Sequence, residues 1–401
     1  MNRAILALNA GSSSIKFALY EHGLTAQRLI SRGIIEGIGE DPHLTARAPD
    51  STVVDRQAWG ASAAASHEEV LQPLLAWMTS HLGHTELAAV GHRVVHGGLS
   101  FRQPVRIDAH TLSALEQLVP LAPLHQPHHL AAVKAIKHLH PELKQVACFD
   151  TAFHGDMPAV ATSLGLPHAY ASAGMRRYGF HGLSYEYLAG QLRDFAPALA
   201  DGRVILAHLG NGASLCAMRH GRSVDTTMGF SALDGLLMGT RCGSLDPGAI
   251  LHLLQARGLT VSAVERLLYQ ESGLLGVSGI SADMRTLLAS SDRYARDAID
   301  LFTYRIVKEI GGLASALHGL DALVFSAGIG EHAASIRAGV CEALSWLGIE
   351  CDELANQQHQ TLISTIHSAV RVFVIRTDEE AIIARHTAEV LRDLARKDAT
   401  A

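Results

Sequence analysis

The feature that most constrains this chain is a repeat. Residues 4–20, AILALNAGSSSIKFALY, read as strand, Gly/Ser turn and strand, the pattern of a β-hairpin with a longer loop. Residues 204–222, VILAHLGNGASLCAMRHGR, repeat the plan two hundred positions later. Ile5 and Leu6 align with Ile205 and Leu206, Gly11 with Asn211, Ser14 with Ser214, and Ile15 with Leu215, at one constant offset. Two copies of one supersecondary unit predict two similar halves facing each other across a cleft. A length of 401 residues fits that count, at roughly 100–200 residues per domain.

Other elements are legible around the repeat. The strand ALVFSA leads into a third glycine turn at Gly328 and Gly330, and Ile336, Val340, Leu344 and Leu347 mark a helix face behind it, so the turn is expected to cap a helix N-terminus. The strand QVACFDTAF ends near Asp150. Pro127 opens a helix that turns Leu130, Val133 and Ile136 inward. After the last strand, RVFVIR, Asp378 is placed to cap a final amphipathic helix carrying Ile382, Ile383, Val390 and Leu391, with Glu379 and Glu380 in its first turn where the helix dipole favours acids. No low-complexity tract intervenes, so short structured crossings join the domains.

Composition narrows the function classes. Hydrophobic residues make up 48% and charged residues 18%, the profile of a globular enzyme. A formal net charge of -6 and the absence of a Lys/Arg run argue against a nucleic-acid partner. No apolar run approaches the roughly 18 residues of a membrane span, and the apolar start of MNRAILALNAGSSS is read as a first strand rather than a leader. Five cysteines without a CxxC pair indicate a reducing, cytoplasmic setting and are read as small buried hydrophobes. The 24 histidines show no HExxH or repeated ligand spacing.

Turns such as NAGSSS and LGNGAS can aim backbone N–H groups at a phosphate chain, because Gly and Asn tolerate the conformations required. Either alone is more often a plain hairpin; two in register plus a third at a helix start point to nucleotide binding. The GxxxxGK motif followed by Ser or Thr is absent. Gly328, Gly330 and Ala333 satisfy GxGxxA, with Glu350 near the ribose-acid distance, so a dinucleotide-binding dehydrogenase stands as a rival. Arg93 in HRVVHGG and Arg241 in MGTRCGSLDPG sit among glycines, where a guanidinium can grip carboxylate or phosphate oxygens or simply form a surface ion pair. Asp150 at a strand end is either a functional acid or a cap. His125, His181 and His208 are each open to a structural or a catalytic reading. Glu379 could serve the helix dipole or face a hydrated magnesium ion, with Asn9 and Asp150 as companions.

The motifs LALNAGSSSIKF, GHRVVHGG, APLHQP, FDTAFH, RRYGFHG, HLGNG, DTTMGF, MGTRCGSLDPG, ESGLLG, SADMR, SAGIGE and TDEE together resemble the acetate kinase family in order and spacing, over essentially the whole chain. Propionate and butyrate kinases share much of the set. The resemblance implies an α/β fold with two duplicated ribonuclease-H-like, actin-like ATPase domains around a central cleft. It implies an N-terminal domain over 1–150 completed by the helix 380–401, and a nucleotide-binding domain over 151–379. The implied reaction is reversible transfer of a phosphoryl group from ATP to acetate, giving ADP and acetyl phosphate, in a cytoplasmic homodimer that uses magnesium or manganese.

Residue by residue, the resemblance puts Asn9 and Glu379 at the metal and Lys16 near the nucleotide phosphates. Arg93 resembles the substrate-carboxylate arginine and Asp150 the active-site aspartate. His181 and Arg241, with His125 nearby, match the groups that stabilise the transferring phosphoryl. Val95, Leu124, Phe180 and Ala232 match the wall around the methyl of acetate. His208, Leu209, Gly210, Asn211 and Gly212 resemble the second phosphate turn, while Asp283, Met284, Arg285, Gly328, Ile329, Gly330, Glu331 and His332 resemble the segments that hold adenosine and ribose. Ala232 replaces a frequent proline, Met284 sits where an aromatic is often found, His332 stands for the common Asn and Asp378 for Asn.

Overall fold

The computed structural model describes residues 3–11, 13–21, 28–58, 67–82 and 85–400; Ser12 of the NAGSSS turn lies outside them. Two compact units emerge: Met1–Ala152 with Asp378–Ala401, and Phe153–Thr377.

The first unit is built on an eight-stranded sheet of β1 (Arg3–Ala10), β2 (Ser14–Glu21), β3 (Arg28–Glu36), β4 (His43–Arg47), β5 (Val53–Ala58), β6 (Glu86–Val94), β7 (Val105–Arg106) and β8 (Lys144–Phe149), in the order β5-β4-β3-β2-β1-β6-β8-β7. Strands β1, β2 and β3 are antiparallel, whereas β1, β6 and β8 run parallel. A strand covered on both faces should be a continuous apolar run, and β1 meets that demand: Ala4, Ile5, Leu6, Ala7 and Leu8 are all buried. Ala4, Leu6 and Leu8 share a core with Leu71, Leu74 and Met78 of the helix His67–Leu82 and with Ala132 and Ile136 of the helix Gln126–Leu139. The second helix buries Leu130, Val133 and Ile136, as its periodicity predicts. The terminal helix Glu379–Thr400 lies so close to β6 that a Cβ on Gly91 would collide with Thr387 and Ile383.

The second unit carries β9 (Arg203–Leu209), β10 (Ala213–Arg219), β11 (Arg222–Thr226), β12 (Ala322–Ser326) and β13 (Arg371–Val374), in the order β11-β10-β9-β12-β13. Three antiparallel strands are again followed by two parallel ones. This is the order of β3-β2-β1-β6-β8, so the duplication read from two hairpins extends to five strands in each unit. The helix Gly182–Phe195 covers one face with Tyr185, Leu188 and Leu192. The long helix Arg293–Leu317 is amphipathic and buries Phe302, Ile306 and Ile310. The result is the expected two-sheet α/β architecture.

Three details depart from expectation. The constant offset does not survive the turn: β1 pairs Leu6 with Leu19, but β9 pairs Leu206 with Cys216. Superposing the first arms at two hundred therefore puts Leu19, not Cys216's sequence counterpart Lys16, opposite Cys216, because the two loops differ in length. The third glycine turn is itself helical, since Gly328 and Gly330 lie inside the short helix Ala327–His332, which precedes the helix Ala334–Ala343. Finally, Cys148, Cys216 and Cys341 are buried, but Cys242 and Cys351 are only partly so.

Candidate active site

In the first unit, the ends of the parallel strands gather an acid–arginine network. Arg93 closes β6, Asp150 follows β8, Asn9 stands near the end of β1 and Glu379 opens the terminal helix. Arg93 donates from Nε to both carboxylate oxygens of Asp150 at 3.0 Å and from Nη2 to Oδ2 at 2.6 Å. Its Nη1 donates to Asn9 Oδ1 at 3.0 Å, and Asn9 Nδ2 donates to Glu379 Oε2 at 3.3 Å. Glu379 also lies 3.9 Å from Arg93 Nε. Burial works against the Arg93 charge, but Asp150 first and then Glu379 outweigh it and hold its pKa above the ordinary value. Five N–H donors on a guanidinium leave one hydrogen on each Nη of Arg93 for an incoming acid.

Lys16 is paired across the hairpin with Asn9 and is exposed. Behind it, Glu380 has its carboxyl pushed up by burial and then by Glu379. Asp378 caps the terminal helix by accepting from Ala381 N at 3.0 Å, and its other oxygen accepts from Arg32 Nη2 at 2.8 Å. The carboxylate in place of an amide thus has a cation of its own.

His125 is the N-cap residue of the helix Gln126–Leu139, and Leu124 precedes it. Two side chains that the sequence did not single out tie this helix start to the loop after β6. His96 N donates to Gln126 Oε1 at 3.2 Å, and Val95 N donates to His129 Nδ1 at 2.9 Å. Val95 is buried by this arrangement.

In the second unit, His181 takes a left-handed conformation, φ 59°, at the start of the helix Gly182–Phe195. Its Nδ1 shares a hydrogen bond of 2.8 Å with Ser214 Oγ, and its ring stacks on His208 with centroids 4.2 Å apart. His208 Nδ1 is bonded to Ser184 Oγ at 2.8 Å. Arg241 Nη1 donates to the Ala232 carbonyl at 2.6 Å. Gly212 joins the group for a steric reason: a Cβ there would sit 2.9 Å from Arg241 Nη2 and 3.4 Å from His181 Nε2. The glycine keeps a main-chain turn bare beside a guanidinium and an imidazole, which is the composition of an anion site. Phe180 is buried, and its carbonyl is bonded to His154 Nε2 at 2.9 Å. Burial pushes His154 down to about 4, so it is neutral near pH 7.

Next to this group is a cavity of about 660 Å³ lined by Gly210, Asn211, Asp283, Met284, Arg285, Gly328, Ile329 and His332, together with Ala282, Leu288 and Ala333. That size is in the range of a small-molecule or cofactor site. Asp283 caps the short helix Met284–Leu288 and pairs with the exposed Arg285 at 2.6 Å. His208, Leu209, Gly212, Gly330 and Glu331 are not part of the cavity wall. Glu331 is buried and holds main chain instead, accepting from Ala327 N at 2.9 Å and Thr377 N at 3.1 Å.

The dinucleotide reading of GxGxxA is not supported at the motif itself. Although it follows β12, which runs parallel to β9 and β13, Gly328 and Gly330 lie inside the short helix Ala327–His332 rather than in a turn before a helix, and Glu350 is engaged locally, accepting from Thr365 at 3.1 Å.

Residues 4–385 match the model of the acetokinase family. This chain belongs to the acetokinase family. Among relatives in the family, an acetate kinase of Rhodopseudomonas palustris (strain TIE-1) is 53% identical over 391 residues, covering 96% of this chain and 98% of that one. An acetate kinase of Methylocella silvestris is 48% identical over 98% of this chain and 100% of its own length. Among solved structures, a propionate kinase from Francisella tularensis superposes with a TM-score of 0.88 at 36% identity, covering 96% of this chain and 98% of that one. The Porphyromonas gingivalis acetate kinase superposes at 0.84 and 35% identity, over 97% and 100%. The two-sheet architecture is thus the actin-like ATPase type of fold found in these kinases. Among the described residues, no helix is long and apolar enough to cross a membrane.

Proposed function

We propose that this protein catalyses the reversible phosphorylation of acetate by ATP, giving acetyl phosphate and ADP. The observation that carries the reading is the Arg241–His181–Gly212 group, a cationic, main-chain-lined pocket beside a nucleotide-sized cavity. A carboxylic acid titrates near 4–5 and is already ionised near neutral pH, so the nucleophile needs no general base. Catalysis is positioning and charge neutralisation. Arg93, held rigid by Asp150 and Asn9, grips the acetate carboxylate with its remaining N–H groups. An acetate oxygen then attacks the γ-phosphorus in line as the bond to the ADP oxygen breaks. Arg241 and His181 Nε2 bear on the equatorial oxygens, with the His181 ring held by Ser214.

By likeness to the family we assign Val95 and Leu124 of the first unit, and Phe180 and Ala232 of the second, to recognition of the methyl group, and the cavity lined by Gly210, Asp283 and Gly328 to adenosine. Lys16, His208 and Leu209 serve the phosphates, while Gly330, Glu331 and His125 act by shaping the turns around them. A divalent ion, when bound, supplies charge neutralisation of the ATP phosphates. Glu379 suits a hydrated magnesium or manganese ion, which takes only one or two protein carboxylates, and Asn9 is the amide beside it, its Nδ2 donating to Glu379 Oε2 and its Oδ1 accepting from Arg93. Among the described residues no three His, Cys, Asp or Glu side chains form a closed cage.

We further assign the two compact units as the two domains of the family, the N-terminal one completed by the terminal helix, and the working form as a cytoplasmic homodimer. The likeness to a propionate kinase favours one second reading, in which propionate is the better substrate. Trapping acyl phosphate as its hydroxamate, with acetate, propionate and butyrate in parallel, separates them. Acetate should give the highest kcat/KM. A propionate optimum would transfer the assignment, and ATP turnover without any acyl phosphate would sink it.

A further inference from the structure

Two histidines and two serines meet beside the turn from Gly210 to Gly212 in a repeated arrangement. His181 and His208 stack with centroids 4.2 Å apart, and each places Nδ1 2.8 Å from a serine hydroxyl, Ser214 for the first and Ser184 for the second. Both rings thereby aim Nε2 at the turn: a Cβ on Gly212 would sit 3.4 Å from His181 Nε2, and one on Gly210 3.8 Å from His208 Nε2. Behind the serines the two differ. Ser184 Oγ is bonded at 2.8 Å to Oγ1 of Thr377, a half-buried residue whose hydroxyl can also exchange hydrogens with water. Ser214 Oγ is bonded at 2.5 Å to Tyr185 Oη, and Tyr185 is fully buried. Tyr185 stands one turn beyond His181 in the helix Gly182–Phe195 and donates its main-chain N–H to the His181 carbonyl at 3.0 Å, so one stretch of backbone sets both the phenol and the imidazole.

The hydrogens along His181, Ser214 and Tyr185 can all be placed in one direction only. A phenol shielded from water keeps its proton, so Tyr185 always has a hydrogen to give. Among the described residues, the Tyr185 hydroxyl is bonded to Ser214, and the Ser214 hydroxyl to Tyr185 and His181. With a hydrogen on His181 Nδ1, Ser214 would have to accept it, and then either the serine or the tyrosine hydrogen would lack an acceptor in a buried place, which is costly. With Tyr185 donating to Ser214 and Ser214 donating to Nδ1, every hydrogen is used, and the neutral ring carries its own on Nε2. We propose that Tyr185 is a positioning residue that acts through Ser214 to hold His181 as the Nε2–H tautomer, so that a neutral imidazole donates to the phosphoryl group at the Gly212 turn. Arg241 Nη2 comes within 2.9 Å of the same Cβ position, and a donor without charge of its own escapes repulsion from that guanidinium.

The use of this donor in catalysis rests on the turn being the phosphoryl site proposed above; the tautomer itself does not. The full-length protein, labelled with nitrogen-15 in its histidines, is followed by NMR without ligand at a pH above the ordinary imidazole value, and His181 is identified by its loss in His181→Asn. The parent should show hydrogen on Nε2 and a bare, hydrogen-bonded Nδ1. Tyr185→Phe keeps the ring and removes only the hydroxyl; it should let the Nδ1–H form appear and lower kcat about tenfold, while the ATP KM moves less than about twofold. Ser214→Ala should do both more strongly, and Ser214→Thr, which restores a hydroxyl, should recover the Nε2–H signal and most of kcat. Hydrogen on Nδ1 in the parent overturns the proposal, and so does an unchanged tautomer in Tyr185→Phe, whatever its kcat. A tautomer that shifts in Tyr185→Phe with kcat unchanged leaves the hydrogen-bond chain standing and overturns its catalytic use, which counts against the turn as the phosphoryl site.

Discussion

The two hairpins share a sheet position and differ in what they carry. The β1–β2 hairpin presents Asn9 and Lys16 beside a network in which Arg93 is neutralised by Asp150 and Glu379. The β9–β10 hairpin presents a bare Gly212 turn and Ser214 beside Arg241, which is held by a main-chain carbonyl, and beside stacked His181 and His208. Duplication conserved five strands per unit and left the loops to diverge. One copy holds a guanidinium against a carboxylate; the other holds one against a main-chain carbonyl beside the bare Gly212 turn. The first arrangement suits holding a substrate, and the second suits stabilising charge that develops during transfer.

The largest difference should appear in stability. Asp150 is 1% exposed, and removing it leaves the half-buried Arg93 with Glu379, 3.9 Å away, as its remaining counter-charge. Asp150→Ala should cost near the low end of about 3–5 kcal/mol in the first unit, the scale for breaking a buried pair, and Asp150→Asn should recover part of it. Ala232→Gly, which keeps the carbonyl that holds Arg241, should leave thermal stability much closer to the parent. An Asp150→Ala loss no larger than that of Ala232→Gly in denaturant unfolding would show that the Arg93–Asp150 pair does not hold the first unit.

Acid should press on both units, and on the first through His96 as well, which burial also pushes down to about 4. Burial pushes His92 in the first unit and His154 in the second down to about 4. As pH falls through 6.5 the unfolded chain takes up a proton that the folded one refuses until about 4, so stability is full above 6.5 and declines between those values. Each site contributes about 3 kcal/mol over that window. His92→Gln and His154→Gln should each flatten the dependence of unfolding free energy on pH. A slope unchanged in either variant would show that its histidine titrates normally.

The smallest effect concerns the acyl wall. Arg177 Nη1 donates to the carbonyls of Thr226, Thr227 and Met228 at 3.0–3.2 Å, and Arg241 fixes that of Ala232. This loop is thus pinned by main-chain bonds and does not depend on a proline ring to keep its place. On the proposed assignment of Ala232 to the acyl group, alanine in place of a proline ring would admit one more methylene, worth about 0.8 kcal/mol. Ala232→Pro should lower kcat/KM for propionate relative to acetate by a factor of a few. An unchanged ratio would free Ala232 from any role in acyl length.

Much of this frame could be read from residues alone. Apolar runs broken by NAGSSS and LGNGAS announced both hairpins, and Pro127 and Asp378 marked helix starts where the helices begin. Arg93 and Arg241 stood out as charges among glycines. Their partners did not, because contact between positions 57 apart, as for Arg93 and Asp150, leaves no local periodicity. For the same reason the His181–His208 stack and the roles of Ser214, Gln126 and His129 emerge only when the chain is folded. Glu331 illustrates the opposite case: it sits in a motif that suggests ligand binding, yet its carboxylate is spent on two main-chain N–H groups.

The division of labour between the two arginines is tested most directly by steady-state kinetics of Arg241→Ala and Arg93→Lys with acetate and ATP, measured side by side. Arg241→Ala should lower kcat by about 10²–10³-fold while the acetate KM moves little, the signature of an interaction made in the transition state. Arg93→Lys keeps a cation for Asp150 but loses the planar fork, so its acetate KM should rise about 10–100-fold with the smaller change in kcat. A near-normal kcat in Arg241→Ala, or an unaltered acetate KM in Arg93→Lys, would contradict the account.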